Sequence, residues 1–271
     1  MVEPPHITVE LQPDGVIAPT LRVLQQTVEV VSFSLRALEN ADLSQPPEFE
    51  GSRFQFLVGG DVSAAVRKQS YTNWLLSKGF QDLARGIRQS LEEALLYNSM
   101  VELARTDLPN IKTWEGLQDR IQQFRKRADD AKFPDLLAQV NQGLTAPLHF
   151  EKQFLSLQKV RNCLEHRDGV VADKDVDPDI KVLRLALPRA KLFIEKEGKE
   201  IEIGKGSQVE ANTAIGIKNV MQEQEFKLGE RITFKAEEFH DIGYGYWLIA
   251  SDLASKLPKL EDKVSNQAAS A

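Results

Sequence analysis

From Pro19 the chain places apolar side chains every three or four residues, at Leu21, Leu24, Val28, Val31, Leu35 and Leu38, as far as about Asn40. That period puts them on one stripe of an α-helix, with Pro19 and Thr20 opening it. A second helical stretch runs from Val62 to about Arg105 through Trp74, Leu75, Phe80, Leu83, Ile87, Leu91, Leu95 and Met100. It reads as one long helix or two abutting ones, with Gly79 and Gly86 at bends or close contacts. Its aromatic residues recur at helical spacing, which assigns them to a core in preference to a base-stacking platform. A third helix is expected from Thr113 to about Ala131, with Glu115 in its first turn, and a short fourth from Phe133 to Val140 before the Gln142–Gly143 stop. A fifth spans about Pro147 to Asp168, with Phe150, Phe154, Leu157, Val160 and Leu164 on one face and Gly169 ending it.

Strand-like alternation appears in two places. Ile7 to Leu11 alternates ahead of a Pro13-Asp14-Gly15 turn, and the connection from Asp42 to Gly60, with Pro46, Pro47, Gly59 and Gly60, has room for a strand at Phe54 to Val58. After Gly169 the helical period is lost. Strand pieces are expected at Val182–Leu187, Lys191–Glu195, Glu200–Ile203, Ala214–Ile217, Phe226–Leu228 and Arg231–Phe234, with a hairpin turn at Glu197-Gly198-Lys199. The helical period returns from about Ala236 to Leu257 through Phe239, Ile242, Trp247, Leu248, Ile249 and Leu253, and Lys259 to Ala271 is a polar tail expected to be disordered. The pattern predicts an α+β, mainly α, protein. Residues 1–171 form a helical bundle, 172–235 a small antiparallel β insertion, 236–258 a final helix packing back on the bundle, and 259–271 the tail.

Composition narrows the function. With 271 residues, 42% hydrophobic and 27% charged, the chain has the balance of a soluble globular protein. A formal net charge of -6 argues against general, charge-driven nucleic-acid binding and confines any RNA contact to a local cleft. Arg120, Arg125, Lys126, Arg127 and Lys132 form the most basic patch, but Asp119, Asp129 and Asp130 dilute it, so a solvated, ion-paired helix face is expected. The one cysteine, Cys163, permits no internal disulfide, fits a reducing cytosol and reads as a small buried thiol. No signal peptide or membrane-spanning run is read, which points to the cytoplasm. The acidic run at Asp173, Asp175, Asp177 and Asp179 resembles the start of a calcium loop, yet Pro178 and Arg184 occupy the positions that need Gly and Glu, leaving a solvated linker. Gly204-Lys205-Gly206-Ser207 lacks the glycine spacing of a phosphate loop and reads as a turn. His6, His149 and His240 show no metal-ligand spacing.

The chemistry concentrates on the fifth helix, where Arg161, Asn162 and His166 stand together. Arg161 falls in the middle of the apolar stripe, so its guanidinium requires a carboxylate, a carbonyl or an anion beside it. Asn162 and His166, four apart, share another ridge. On a straight helix Arg161 and His166 do not meet; they converge if the helix frays near Leu164 or if a second copy brings its own motif alongside.

Arg161-Asn162, three residues, then His166 near a helix end resembles the signature of the HEPN superfamily. The resemblance implies a helical bundle that dimerises so that two motifs face one cleft. In active members it also implies metal-independent RNA cleavage without a cofactor, in toxin or antiviral settings. By that resemblance Arg161 contacts the scissile phosphate, His166 transfers the proton and Asn162 orients them, with RNA as substrate and an antitoxin or other regulatory protein as a further partner. The residue types suit these roles, because an imidazole titrating near neutrality serves as general acid or base and a guanidinium offsets phosphate charge. The competing reading keeps the helices and drops the chemistry. Arg161 is then tied to an acidic neighbour, Asn162 is a polar helix residue, and His166 is a C-terminal histidine favoured by the helix dipole in a protein-binding module.

Overall fold

A computed structural model describes residues 10–45, 62–106, 110–111, 113–204, 206–211 and 213–260. The architecture is mainly helical with a three-stranded antiparallel sheet and a closing helix, the α+β class expected. In chain order it contains α1 (Pro13–Val16), α2 (Ala18–Asn40), α3 (Ala64–Thr106), α4 (Trp114–Asp130), α5 (Phe133–Gln142) and α6 (Glu151–His166). The strands β1 (Val182–Lys196), β2 (Lys199–Glu202) and β3 (Ile215–Lys227) follow, then a 3₁₀ turn at Ala236–Glu238 and α7 (Phe239–Ser255). The strand expected at Phe54 to Val58, Ile7 to Val9 of the first expected strand, Lys205 and the tail beyond Leu260 lie outside the described residues.

α3 is a single 43-residue helix, without a break at Gly79 or Gly86. Both glycines are close-approach positions. A Cβ on Gly79 would stand 2.5 Å from Phe239 Cζ and 2.9 Å from Val31 Cγ2, and one on Gly86 would stand 3.1 Å from Val23 Cβ and 3.3 Å from Thr20 Cα. α2 therefore lies directly against α3, and the residues it buries are Thr20, Thr27 and Val31. Leu21, expected on the inner stripe, is 37% exposed, whereas Thr20 is 1% exposed. The reason is the short helix–helix distance. Thr20 Oγ1 donates to Gly86 O (3.0 Å) and shares a 2.8 Å hydrogen bond with Ser90 Oγ, so a small hydroxyl replaces a branched aliphatic at the seam. Gly79→Ala is expected to destabilise the protein by about 1–3 kcal/mol through overpacking against Phe239 and Val31, read as a lower urea midpoint with an unchanged slope.

Trp74, expected among the apolar core positions, is 61% exposed, and Leu76 beside it is fully buried. The core runs through Phe80, Leu83, Ile87 and Leu91 of α3, Leu136 and Val140 of α5, Phe154, Leu157 and Val160 of α6, and Tyr246, Ile249 and Leu253 of α7. α4 begins on Thr113, whose side chain accepts from Gly116 N, and its basic residues are exposed, with Lys126 paired to Asp130 (3.3 Å) and Arg127 bonded to Gln139 (2.8 Å).

The strand order is β2-β1-β3, with β1 in the centre. Six strand pieces were expected; β1 and β3 instead run unbroken for 15 and 13 residues, each fusing two of them. Pro188 did not divide β1, and its backbone direction explains why. Ala186, two residues earlier, turns its N–H away from β3 and towards α6, where Ser156 Oγ accepts it (3.2 Å) and donates back to Ala186 O (3.3 Å). The nitrogen of Pro188 points to the same side, short of the β2 pairing that starts at Phe193, so its missing N–H costs no ladder bond. Ser156 covers the open edge of β1 at its root. The expected strand at Arg231–Phe234 is reduced to one bridge, Val170 to Arg231, and Phe234 stacks on Phe80 with centroids 4.9 Å apart.

Leu183, Leu185, Leu187 and Phe226, on one face of the sheet's root, belong to the same hydrophobic cluster as the helices. α7 packs there through Gly245, where a Cβ would approach Pro188 O to 2.8 Å. Tyr244 of α7 still donates to Asn219 Oδ1 (3.1 Å), opposite Ala190, and beyond that pair the strands continue as an arm away from the helices.

Candidate active site at the end of α6

Both ends of α6 are held by buried charge. At its start Asp252 of α7, 9% exposed, accepts from His149 N and from His149 Nδ1, both at 2.9 Å, while Lys256 Nζ reaches Asp252 (2.8 Å) and Pro147 O (2.6 Å). His149, read from sequence only as a surface or packing residue, thus ties α7 to the turn that starts the motif helix. At the other end Arg167 turns inward and grips Asp175 with two parallel hydrogen bonds, one of them 2.7 Å, and Asp175 also accepts from Ala172 N (3.0 Å). Asp175 is 5% exposed. The acidic stretch expected to be a solvated linker is here a clamp, because Arg167 recruits one of its four aspartates into the core.

The chain leaves α6 by a left-handed turn. Arg167 N and Gly169 N both donate to Cys163 O (3.1 Å each), with Asp168 at φ 50° and Gly169 at φ 75°. Ile232 N then donates to Gly169 O (2.8 Å), Val171 N to Glu230 O (2.9 Å), and Arg231 Nη1 to Asp168 O (2.5 Å). Gly169 is the stop expected, and the segment after β3 fastens it.

Within this frame Arg161, Asn162 and His166 occupy the exposed side of the last turns. Arg161 has the carboxylate its position required: Glu165, one turn on, pairs with its guanidinium. Arg161 Nη1 also donates to Asn162 Oδ1 (3.3 Å), an oxygen that accepts from Gln158 Nε2 at 2.9 Å. His166 is the final residue of the helix, with a side chain 59% exposed, and its Nε2 lies 3.6 Å from the same Glu165 oxygen that holds Arg161. That distance is a charge contact when the imidazole is protonated, and is too long for a hydrogen bond. Arg161 and His166 do not touch each other, as the helical wheel required. Both converge on Glu165 without fraying of the helix.

Glu165 and Gln158 were not singled out from sequence. The i, i+4 spacings of Arg161 to Glu165 and of Gln158 to Asn162 are the signal that could have found them. Cys163, inside the motif, is fully buried on the opposite side, and burial, followed by the neighbouring Asp175 carboxylate, pushes its thiol pKa up. A raised pKa keeps it protonated at neutral pH, which removes it as a nucleophile.

A groove of about 350 Å³ runs between α6 and the root of the sheet, but its charged lining, Lys152, Lys159 and Arg184 against Asp175, Asp177 and Glu223, belongs to another flank of the helix and does not include the motif. Among the described residues no cluster of three or more His, Cys, Asp or Glu side chains is placed to hold a metal ion, and no helix is long and apolar enough to cross a membrane. Comparison with protein-family models, with curated proteins and with solved structures found no match to this chain.

Proposed function

We propose that the chain is a HEPN-like, metal-independent endoribonuclease of the cytoplasm, working as a homodimer in a toxin or antiviral setting where an antitoxin or another regulatory protein restrains it. The observation that carries the reading is the array at the end of α6, in which Arg161 and His166 both meet Glu165 and Arg161 donates to Asn162.

The chemistry follows from the atoms. His166 takes the proton of a ribose 2′-hydroxyl as the 2′-oxygen bonds to phosphorus, the bond from phosphorus to the 5′-oxygen breaks, the leaving oxygen takes a proton from water, and His166 returns its proton to solvent. The products are a 2′,3′-cyclic phosphate and a 5′-hydroxyl end. Arg161 has five N–H donors, of which Glu165 and Asn162 engage only part, so the guanidinium retains capacity for a phosphate oxygen. Glu165 supports an imidazolium on His166 after the first proton transfer and keeps Arg161 directed along the helix.

The test is incubation of the purified protein with total RNA in EDTA, with the ends of the products identified. Fragments ending in cyclic phosphate are expected; intact RNA from a folded protein, over a broad range of RNAs, would sink the nuclease reading.

One observation favours a second reading, a non-catalytic helical module that binds another protein. Arg161 already has both a carboxylate and an amide, which satisfies its charge without any ligand, and the mixed-charge groove beside α6 offers no continuous cationic track for RNA. Intact RNA together with a specific protein partner held through α6 is the outcome this reading requires.

A further inference from the structure

The arm formed by the distal half of the sheet has two unlike faces. On one, Arg189 pairs with Glu202 (2.6 Å), Lys191 with Glu200 (3.4 Å) and Lys218 with Glu200, while the Phe193 ring lies over Gly216, where a Cβ would be 2.5 Å away. Lys218 Nζ also sits 5.3 Å from the Phe193 centroid. That face is covered by its own side chains.

The other face is aliphatic. The register sets Leu192 opposite Ile217, Ile194 between Ile215 and Ile201, and Pro188 opposite Met221, so side-chain alternation puts all of them on one side, and Ile203 N bonding to Leu192 O adds Ile203. Leu192, Ile201, Ile215 and Ile217 are 41%, 48%, 55% and 68% exposed, whereas Met221 at the root accepts from Gln153 Nε2 of α6 (3.5 Å). Together these four present roughly 400 Å² of apolar surface, the size of the largest patch on an ordinary soluble monomer, which is often functional. A three-stranded arm with one bare face also lacks the second layer that makes a sheet stable.

We infer that this face is the interface between two copies of the chain, whose arms stack face to face as a two-layer sandwich about a two-fold axis. Three observations select a second copy over a different partner. The patch is built from Leu and Ile side chains of similar size, which can pack against their own copies as an isologous interface needs. Two such faces bring together roughly 800 Å² of apolar surface, enough to form the core of a contact at the lower edge of the range of a specific dimer, about 1,200–2,000 Å². The ends differ in charge: Lys196 and Lys199 stand on the apolar side at the tip, while at the root Glu223 and Glu225 share the single Arg184 and leave one negative charge on that side, so antiparallel stacking sets the lysines of one arm near the carboxylates of the other. The inference does not rest on the nuclease reading. α6 runs antiparallel to β1, with Ser156 beside Ala186 and Arg167 beside Asp175, so the motif end of α6 lies away from the arm tip.

The test is the mass of the full chain by sedimentation equilibrium over a range of concentrations, for the parent, Ile217→Lys and Arg161→Ala. Expected are dimeric parent and Arg161→Ala proteins and a monomeric Ile217→Lys. Ile217 is largely exposed in the single chain, so its replacement is expected to keep the circular dichroism of the parent; Ile201→Lys, on the other edge strand, provides an independent check with the same expected result. A monomeric parent at every concentration overturns the inference, and so does a dimer that persists in both lysine variants. Dissociation by Arg161→Ala alone would assign the interface to the motif face and overturn it as well.

Discussion

A His166→Ala protein is expected to cleave RNA about 10²–10⁴-fold more slowly than the parent, the usual contribution of a general acid or base, with its fold unchanged. The side chain is 59% exposed at the last residue of α6 and makes only the 3.6 Å charge contact to Glu165, so its removal opens no cavity and orphans no buried group. Loss of activity without loss of stability therefore isolates chemistry. Initial rates on one RNA in EDTA, beside circular dichroism and a urea titration, make the measurement. Unchanged cleavage by folded His166→Ala would remove the imidazole from the mechanism and with it the proposed nuclease. Arg161→Ala provides a second reading of the same site: it removes the proposed phosphate contact and takes from Glu165 its guanidinium partner.

Breaking the clamp below the motif is expected to act in the opposite way, through stability first. Asp175→Ala leaves the Arg167 guanidinium in a site where its side chain is only 15% exposed, with two hydrogen bonds gone and Ala172 N unpaired. Loss of one partner from a buried ion pair costs about 3–5 kcal/mol, a large share of the 5–15 kcal/mol that holds an ordinary domain. Urea unfolding should show that drop, and cleavage should fall only where the fold does. The double replacement Arg167→Met with Asp175→Leu tests the electrostatic origin, since exchanging the pair for apolar side chains is expected to restore most of the loss. A loss of less than about 1 kcal/mol in Asp175→Ala would show that the pair behaves as a solvated surface bridge.

Local periodicity carried the helices. The stripes at Leu24 to Leu35 and Phe154 to Leu164, and the stop at Gly169, were legible because a helix is written in neighbours three and four apart. Where two backbones approach closely the rule inverted. Gly86 lets α2 sit near enough that Thr20 fits the seam and Leu21 does not, and nothing in the spacing of α2 alone announces the glycine that decides it. The two pieces expected at Val182–Leu187 and Lys191–Glu195 are one strand, because Pro188 between them turns its nitrogen to an unpaired edge, and which edge is paired is a property of the whole sheet. The candidate site divides in the same manner. Arg161, Asn162, His166 and the need for a counter-charge at Arg161 were readable, whereas Glu165, four residues on, was not singled out although helical spacing points to it. The Arg167–Asp175 and His149–Asp252 pairs join residues 8 and 103 positions apart, on no common periodic element, and only the folded chain brings them together.

The clasp of Asp252 and Lys256 on His149 and Pro147 has a bearing on the order in which the protein is made. A ribosome delivers α6 well before it delivers α7, so the motif helix emerges with neither the capping carboxylate at its start nor the core wall of Tyr246, Ile249 and Leu253 behind it. During that interval the array of Arg161, Asn162 and His166 has no rigid support. For the proposed nuclease this delay keeps the site without its support while the chain is still tethered to its own message, until residues 252 to 256 have left the exit tunnel.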